Sequence, residues 1–591
     1  MLRMPQPWTM ALALMIGANT AGFLPVRAAE DAPAGWPQYC GPSRNGVAAS
    51  GPKLLDAWPT NGPTLLWQSD YIPSYMSGGG CASPVVADGK VFVYVNWKMP
   101  VGGGTKIRLI TTERLVDVGW LPDISDDLAR KIEAARVSTN RPGTTGPIPA
   151  WHHFEPPAEA VLDAFLTKNA GLDTYIKDFT ATLEPKDAAK YGAYIRRRLC
   201  MQKVGAAWER AYTWDELVKL SKLCDLAFET EQEWRNKVTE INVNMGYGSR
   251  PFDFFHAWMK ASTVHDSVVC LDAATGKTLW QKDFLVDKAV YRTNDFFTFG
   301  VFGVSATPVV ADGKCFVQGL NGLYCLAGKD GTLLWQVNTA PTHASPLVAH
   351  GVVFNSGAAY RADNGKLLWQ KEGGGVVQTP VSPSLWRKDG RDYVVCVDET
   401  QMYCCLDMET GKTLWSRLDQ RRCGYGCYLS VISGDILLGE MANEFCAYEL
   451  STAGAKLLWK KKHGGESMSS CLVWKDCVYV FTGAWECFDL KTGDMKWAGK
   501  PYAYGDCDNV ISRPALADGK IFNTLGRAHN DRNDHEDTFN IEMVGAGLDQ
   551  YSRLGVFGPR IACMSSPAIA DGRLFLRLEK CAACYDLRAN K

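Results

Sequence analysis

Leu271-Asp272-Ala273-Ala274-Thr275-Gly276-Lys277-Thr278-Leu279-Trp280 sets a tight turn between two strand-forming runs. The pattern returns at residues 406–415 and, less perfectly, at 488–497, with looser forms ending at Trp335, Trp369 and Trp459. Each copy reads as a hairpin: a Thr-Gly or Asn-Gly step supplies the turn, and the strand after it ends in tryptophan. A second pattern always precedes it. Ser83-Pro84-Val85-Val86-Ala87-Asp88-Gly89-Lys90-Val91-Phe92 is matched at 307–316, 345–354, 513–522 and 566–575, with weaker copies beginning near Thr379, Ser430 and Ser470. This too is a hairpin, two apolar runs around an Asp-Gly turn. Two hairpins make four antiparallel strands, and repetition at about 40 residues is the period of propeller blades. The count predicts an all-β, eight-bladed β-propeller.

The eighth copy stops at Tyr585-Asp586-Leu587 without a tryptophan strand, whereas Thr64-Leu65-Leu66-Trp67 precedes the first strand entry. The N-terminal strand is therefore expected to complete the last blade, removing two exposed sheet edges. Trp67, Trp280, Trp335, Trp369, Trp415, Trp459 and Trp497 are the structural tryptophans of this scheme. The seventh copy, after Phe522, shows no clear tryptophan.

The Asp-x-x-Thr-Gly-Lys-x-x-Trp motif of residues 272–280 and 407–415 resembles the tryptophan-docking motif of the pyrroloquinoline-quinone-like (PQQ-like) repeat family. That superfamily holds quinoprotein alcohol dehydrogenases and outer-membrane assembly factors. Trp36-Pro37-Gln38-Tyr39-Cys40-Gly41-Pro42 is similar to a segment that opens secreted bacterial members. The resemblance spans about residues 36–105 and 264–588.

Between about Gly104 and Ser262 strand signals give way to helical ones. Thr213-Trp214-Asp215-Glu216 is a capping box, followed by a helical stripe through Leu217, Leu220, Cys224, Ala227, Phe228, Trp234, Val238 and Ile241. Ser125 is placed to cap another helix, and Pro157 suits the first turn of a third. The expected organisation is a signal peptide over 1–28, an extended segment over 29–63, the propeller over 64–105 and 263–591, and a helical insertion in the first blade over 106–262. The insertion's apolar faces are expected to pack on the propeller rim.

The 63 basic and 64 acidic residues nearly cancel, which excludes the strong positive field of a nucleic-acid binder. An apolar stretch from about Thr9 to Leu24, followed by Val26-Arg27-Ala28, reads as a signal peptide cleaved after Ala28. The expected location is periplasmic or secreted, with no transmembrane span after cleavage.

Twenty cysteines in an exported chain suggest disulfides. Yet Cys270, Cys325, Cys405 and Cys487 each stand ten residues before a motif tryptophan, with Cys446 and Cys584 in comparable places. Recurrence blade after blade is the mark of packing, with cysteine as a small buried hydrophobe. Cys404-Cys405 resembles the vicinal pair of some quinoprotein dehydrogenases, but the residues around it do not match that segment. Cys315 with Cys325, and Cys477 with Cys487, flank turns symmetrically and are the pairs that neighbouring strands could bring together. No Cys-x-x-Cys-His occurs. Cys423 to Cys427, Cys581 to Cys584, the Asp531-Asn533-Asp534-Asp537 loop and Trp151-His152-His153 lack the ligand sets of a metal site, so none is assigned.

The first strand of each blade lines a propeller's channel, so polar residues at the strand entries are the ligand candidates: His343, Gln378, Arg422, Tyr425, Ser469, Arg513 and Ser565. The alternative reading is that they satisfy strand-end backbone groups. His343 and Arg513 suit an anionic group such as a carboxylate. No catalytic residue is assigned. The favoured expectation is a non-catalytic binding or scaffold propeller that meets a protein or cell-envelope component through the insertion. The resemblance also implies an alternative, a quinoprotein dehydrogenase of alcohols or sugars with PQQ and calcium as cofactors, but its ligands match no definite positions here.

Overall fold

Asp88 and Gly89 both adopt positive φ, +50° and +68°, the turn that matches the twist of two antiparallel strands. Asp312-Gly313, Asp518-Gly519 and Asp571-Gly572 repeat it. Each repeat thereby becomes a four-stranded antiparallel sheet, and a computed structural model of the chain contains eight of them. It describes residues 35–74, 79–100, 106–108, 110–145, 158–201, 211–224, 226–228, 231–241, 262–286, 304–371, 381–398, 400–416, 418, 430–441, 444–462, 470–481, 483–500, 512–527, 538–562 and 565–589.

Blade one comprises Val85–Ala87, Lys90–Pro100, Ser262–Asp272 and Thr278–Leu285. Blades two to seven follow in chain order, with innermost strands at Val309–Ala311, Leu347–Ala349, Ser384–Lys388, Val431–Ser433, Ser470–Trp474 and Ala515–Ala517. The weak copy expected near Thr379, itself outside the described residues, enters its strand at Ser382-Pro383-Ser384. Blade eight is Ala568–Ala570, Arg573–Arg577 and Ala582–Asp586, closed by Thr64–Gln68 as its outer strand. First strands of neighbouring blades touch, as 85–87 does with 309–311 and 568–570, so they ring the axis.

The core is divided into apolar layers between blades. Phe92, Val268 and Cys270 of blade one pack with Cys315, Val317 and Tyr324 of blade two, and similar layers follow around the ring. Across each layer a tryptophan docks on the next blade. The indole N–H of Trp280 donates to the Gly328 carbonyl (3.4 Å), Trp335 to Ala362 (3.2 Å), Trp369 to Met408 (3.1 Å), Trp415 to Ser451 (3.1 Å), Trp459 to Leu490 (2.9 Å) and Trp497 to Gly547 (3.0 Å). Blade seven uses Phe557 in this role. It lies opposite Ile541, two residues beyond the tryptophan register, which Gly555 holds opposite Met543, and it packs against Gly62 and meets Tyr585 edge-on at 5.2 Å.

Cys270, Cys325, Cys405, Cys487 and Cys584 sit directly opposite Trp280, Trp335, Trp415, Trp497 and Trp67. Cys446 is one residue out of step, since Ala447 faces Trp459. Burial pushes the thiols of Cys270, Cys325, Cys405, Cys487 and Cys584 up to about 12, as suits packing groups.

The insertion leaves blade one after Pro100 and returns at Ser262, which are register partners on neighbouring strands. It holds α1 (Thr112–Asp117), α2 (Asp126–Val137), α3 (Glu159–Lys168), α4 (Ala170–Ala181), α5 (Pro185–Cys200), α6 (Trp214–Ser221) and α7 (Glu231–Glu240). Ser125 caps α2, and Thr213 with Glu216 forms the capping box of α6. Pro157 lies outside the described residues, and α3 is preceded by Ala158.

Two expectations need correction. The stripe after Thr213 is not one helix, because Ala227–Phe228 pairs as a short strand with Ile107–Arg108 and separates α6 from α7. Nor, among the described residues, do the apolar faces form their core with the propeller rim. Leu128, Ile132, Leu162, Ile195, Leu217, Trp234 and their neighbours form a cluster drawn wholly from the insertion. The seven described helices suffice to bury one another's apolar stripes. Glu133 anchors this cluster by pairing with Arg136 and Arg198, both almost fully buried. Among the described residues no helix is long and apolar enough to cross a membrane.

Candidate functional site: the axial channel

The first strand of each blade has no strand neighbour on its inner side, so its entry needs other hydrogen-bond partners. A girdle of hydroxyls supplies them. The amide of Ser566 donates to Ser83 Oγ (2.8 Å), Ser83 to Thr307 Oγ1 (3.1 Å), Thr307 to Ser345 Oγ (3.0 Å) and Ser345 to Ser382 Oγ (3.0 Å). Each hydroxyl precedes a proline, which holds its neighbour extended and removes a donor that would face the axis. Blade seven replaces the hydroxyl with Arg513, whose amide donates to Ser566 Oγ at 2.8 Å.

Residues 36–48 fill the channel against these inner strands. Trp36 exchanges both backbone bonds with Val86 of blade one at 2.8 Å, and the Pro37 carbonyl accepts from Val310 of blade two at 2.7 Å. On the far side, Leu516 of blade seven donates to Gly46 (2.7 Å) and accepts from Ala48 (2.8 Å). A Cβ on Gly46 would lie 2.3 Å from Leu472 of blade six, so only glycine passes there, at φ +79°.

Arg44 fixes the segment at its centre. Its Nε donates to the Pro383 carbonyl (3.0 Å), Nη1 to Pro346 (2.9 Å) and to Gln38 Oε1 (3.1 Å), and Nη2 to Ser345 (3.4 Å). No carboxylate is among these partners, and burial lowers the guanidinium pKa to about 10, which leaves it charged at neutral pH.

The candidate residues are placed differently from one another. Arg513 is buried with its guanidinium 5.9 Å from the Tyr39 ring, engaged by the axial segment. His343 is half-buried, and its Nδ1 accepts from the Ser305 amide at 3.1 Å. Ser565 is buried beside the girdle. Gln378, Arg422, Tyr425 and Ser469 lie outside the described residues, as do residues 1–34, His152, His153, Cys423, Cys427 and the loop of Asp531 to Asp537.

Arg44 is among the buried ionisable residues that were not singled out from sequence. Arg577 of blade eight donates to the carbonyls of Ala82, Tyr94, Pro73 and Gly79 at 2.7–3.1 Å, tying the crossing from blade eight to blade one. Asp266 of blade one accepts from Tyr94 (2.6 Å), Asn96 (3.2 Å), Tyr324 (2.8 Å) and the amides of Leu320 (2.9 Å) and Asn321 (3.0 Å). Burial raises its carboxyl pKa. The tyrosines that solvate it are scattered through the chain, so no local motif announces it.

The described residues of the channel do not fit a quinone with calcium. At the level of the inner strands the axis holds the buried side chains of Cys40 and Arg44. Cys404 and Cys405 lie on the third strand of blade four, away from the axis. Among the described residues no three His, Cys, Asp or Glu side chains converge to hold a metal ion.

Comparison with known proteins adds the following. A family model described as outer membrane protein assembly factor BamB matches residues 264–499. BamB from Moraxella catarrhalis is 15% identical over 56% of this chain and 92% of its own, with a TM-score of 0.40. The computationally designed Ika8 protein is 13% identical over 55% of this chain and 92% of its own, at a TM-score of 0.41. Quinohemoprotein alcohol dehydrogenase ADHIIG from Pseudomonas putida HK5 is 13% identical over 56% of this chain and 73% of its own, at 0.38. No curated protein sequence matches the chain.

Proposed function

We propose that this chain, which belongs to the PQQ-like β-propeller repeat family, is an exported binding scaffold that captures a protein or cell-envelope component through its helical insertion. The supporting observation is the division of labour between its two faces. In a four-stranded meander the first and third turns share one face, as the bond from Ala273 to the Gly89 carbonyl illustrates. The second turn and the inter-blade connections share the other. The insertion rises from the second turn of blade one, on the face where the strand entries and His343 lie. The axial segment packs within the channel that a small ligand would otherwise use, and the insertion carries its own core. A rigid disc bearing one self-supporting module suits recognition of a macromolecule better than turnover of a small substrate.

The test compares the full chain with a variant in which a two-residue turn replaces residues 101–261. Both are crosslinked in envelope extracts, and the captured species are compared. Capture by the full chain and not by the folded, shortened one supports the proposal; equal capture overturns it. In parallel, the purified protein is titrated with PQQ and calcium. Saturable stabilisation with dye-linked alcohol oxidation would put the dehydrogenase reading in its place.

A further inference from the structure

In blade four, Arg391–Val397 and Tyr403–Asp407 run antiparallel with Cys396 directly opposite Cys404. The two sulfur atoms are 3.5 Å apart. Both residues are buried in the layer between blades three and four, against Leu347, Phe354 and Met408. Directly opposed residues of an antiparallel pair have Cα atoms about 4.5–5.5 Å apart, inside the range of about 4.4–6.8 Å that a disulfide spans. Bonding therefore needs side-chain rotation and no backbone movement. We propose that Cys396 and Cys404 form a cross-strand disulfide when the chain folds in the presence of a disulfide donor.

Register sets this pair apart from the neighbouring thiols. Successive strand residues point to opposite faces, and Cys405 packs in the layer toward blade five, opposite Trp415. Cys315 faces Leu326 while Cys325 faces Phe316, so that pair lies on opposite faces of its sheet. Cys477 and Cys487 share a face and their thiols are hydrogen-bonded, but Cys477 is opposite Asp489 and Cys487 opposite Tyr479, so the two backbones are not directly opposed. Such a diagonal separates Cα atoms by about 7–8 Å, beyond disulfide reach.

The chemistry is thiol–disulfide exchange. One cysteine thiolate attacks the donor's disulfide and releases one donor thiol. The second cysteine then attacks the mixed disulfide and releases the other. The pair loses two protons and two electrons, and the donor disulfide is reduced to two thiols. In the cell the donor is a thiol–disulfide oxidoreductase, and in vitro glutathione disulfide serves. The hydrogen bond to Cys396 and burial both raise the Cys404 thiol pKa in the folded protein, so exchange belongs to folding, before blades three and four close over the pair. The product ties the corner at residues 397–403, on the face from which the insertion rises. The proposal rests on export for its oxidant in the cell, though not for its geometry.

The full chain is refolded through a glutathione redox buffer, alkylated without reduction, and digested with trypsin and a protease that cuts after Glu399. The expected result is a disulfide-linked pair of peptides, one carrying Cys396 and the other Cys404, with a mass two hydrogens below the sum. The link persists in Cys405→Ala and is lost in Cys404→Ala and Cys396→Ala, each checked for folding by its thermal transition. Alkylated Cys396 in folded wild-type protein, or a link that survives Cys404→Ala, overturns the proposal. Fractionation of expressing cells tests export separately. A link formed in the refolding buffer from a chain found only in the cytoplasm would sink the export reading and leave the pair's assignment standing.

Discussion

The indole N–H of Trp67 donates to the carbonyl of Ala273 at 3.1 Å, across 206 residues of sequence. Trp67 belongs to the outer strand of blade eight and Ala273 to a turn of blade one, so this contact fastens the last blade to the first. A Cβ on Gly276, at φ +73°, would come within 2.4 Å of the Trp67 ring, so the motif glycine is what lets the indole lie flat.

Trp67→Ala should therefore be among the costliest of the tryptophan replacements. A fully packed aromatic lost to alanine costs about 3–5 kcal/mol. Trp415 is only half-buried, and the same change there should cost roughly a third as much. Urea unfolding followed by fluorescence gives both values, and equal losses would contradict closure by Trp67.

Arg44→Met leaves the Ser345, Pro346 and Pro383 carbonyls without their donor in the centre of the channel. A buried group stripped of its partner costs about 1–3 kcal/mol, so a loss of at least ~3 kcal/mol is expected. Arg44→Lys should recover little, because an ammonium is a point donor and the three acceptors match a planar fork. Thermal melts of the three proteins decide it.

Replacing residues 101–261 by a tight turn should leave a folded propeller, because Pro100 and Ser262 are already opposite one another. Circular dichroism should lose its helical signal while the tryptophan fluorescence of the blades stays native-like. Collapse of both signals would mean that the insertion is part of the propeller's core.

A half-buried and a buried carboxyl should give opposite pH slopes. Burial alone would raise the Glu133 pKa, but the Arg136 hydrogen bond and the nearby Arg198 charge hold it below its ordinary value. Its unfolded form binds more protons, so its stabilisation is present above the ordinary carboxylate pKa and is lost as pH falls through the lowered one. Asp266 is raised by burial, so its folded form binds more protons. Stability from that site falls as pH rises from the ordinary value through the raised one. Glu133→Gln should flatten the acid side of the profile and Asp266→Asn the side above it, as read from unfolding midpoints between about pH 3 and 7.

Much of the fold was legible because its determinants are local and repeated. An Asp-Gly turn between apolar runs specifies a hairpin from its own backbone preferences, and a tryptophan ten residues after a cysteine marks paired strands wherever it recurs. Phe557 escaped notice because it is not a tryptophan and stands two residues off the register that the motif tryptophans keep, so the repeat does not point to it. The break between α6 and α7 escaped for a related reason. Phe228 and Trp234 stay apolar whether the chain continues as helix or detours through a strand, since both routes bury them.

The sequence by itself determined the eight blades, the order of their strands, the completion of the last blade by the first strand and the site of the insertion. Each of these is written in short-range turn chemistry and in the period of its repetition. Only the tertiary structure decided that residues 36–48 occupy the axis, that Arg44 and Arg577 spend their charges on backbone carbonyls, that Asp266 gathers donors from two blades, and that Cys396 faces Cys404. Those relationships join residues far apart in the chain or depend on a one-residue register, and neither leaves a periodic trace in the order of amino acids.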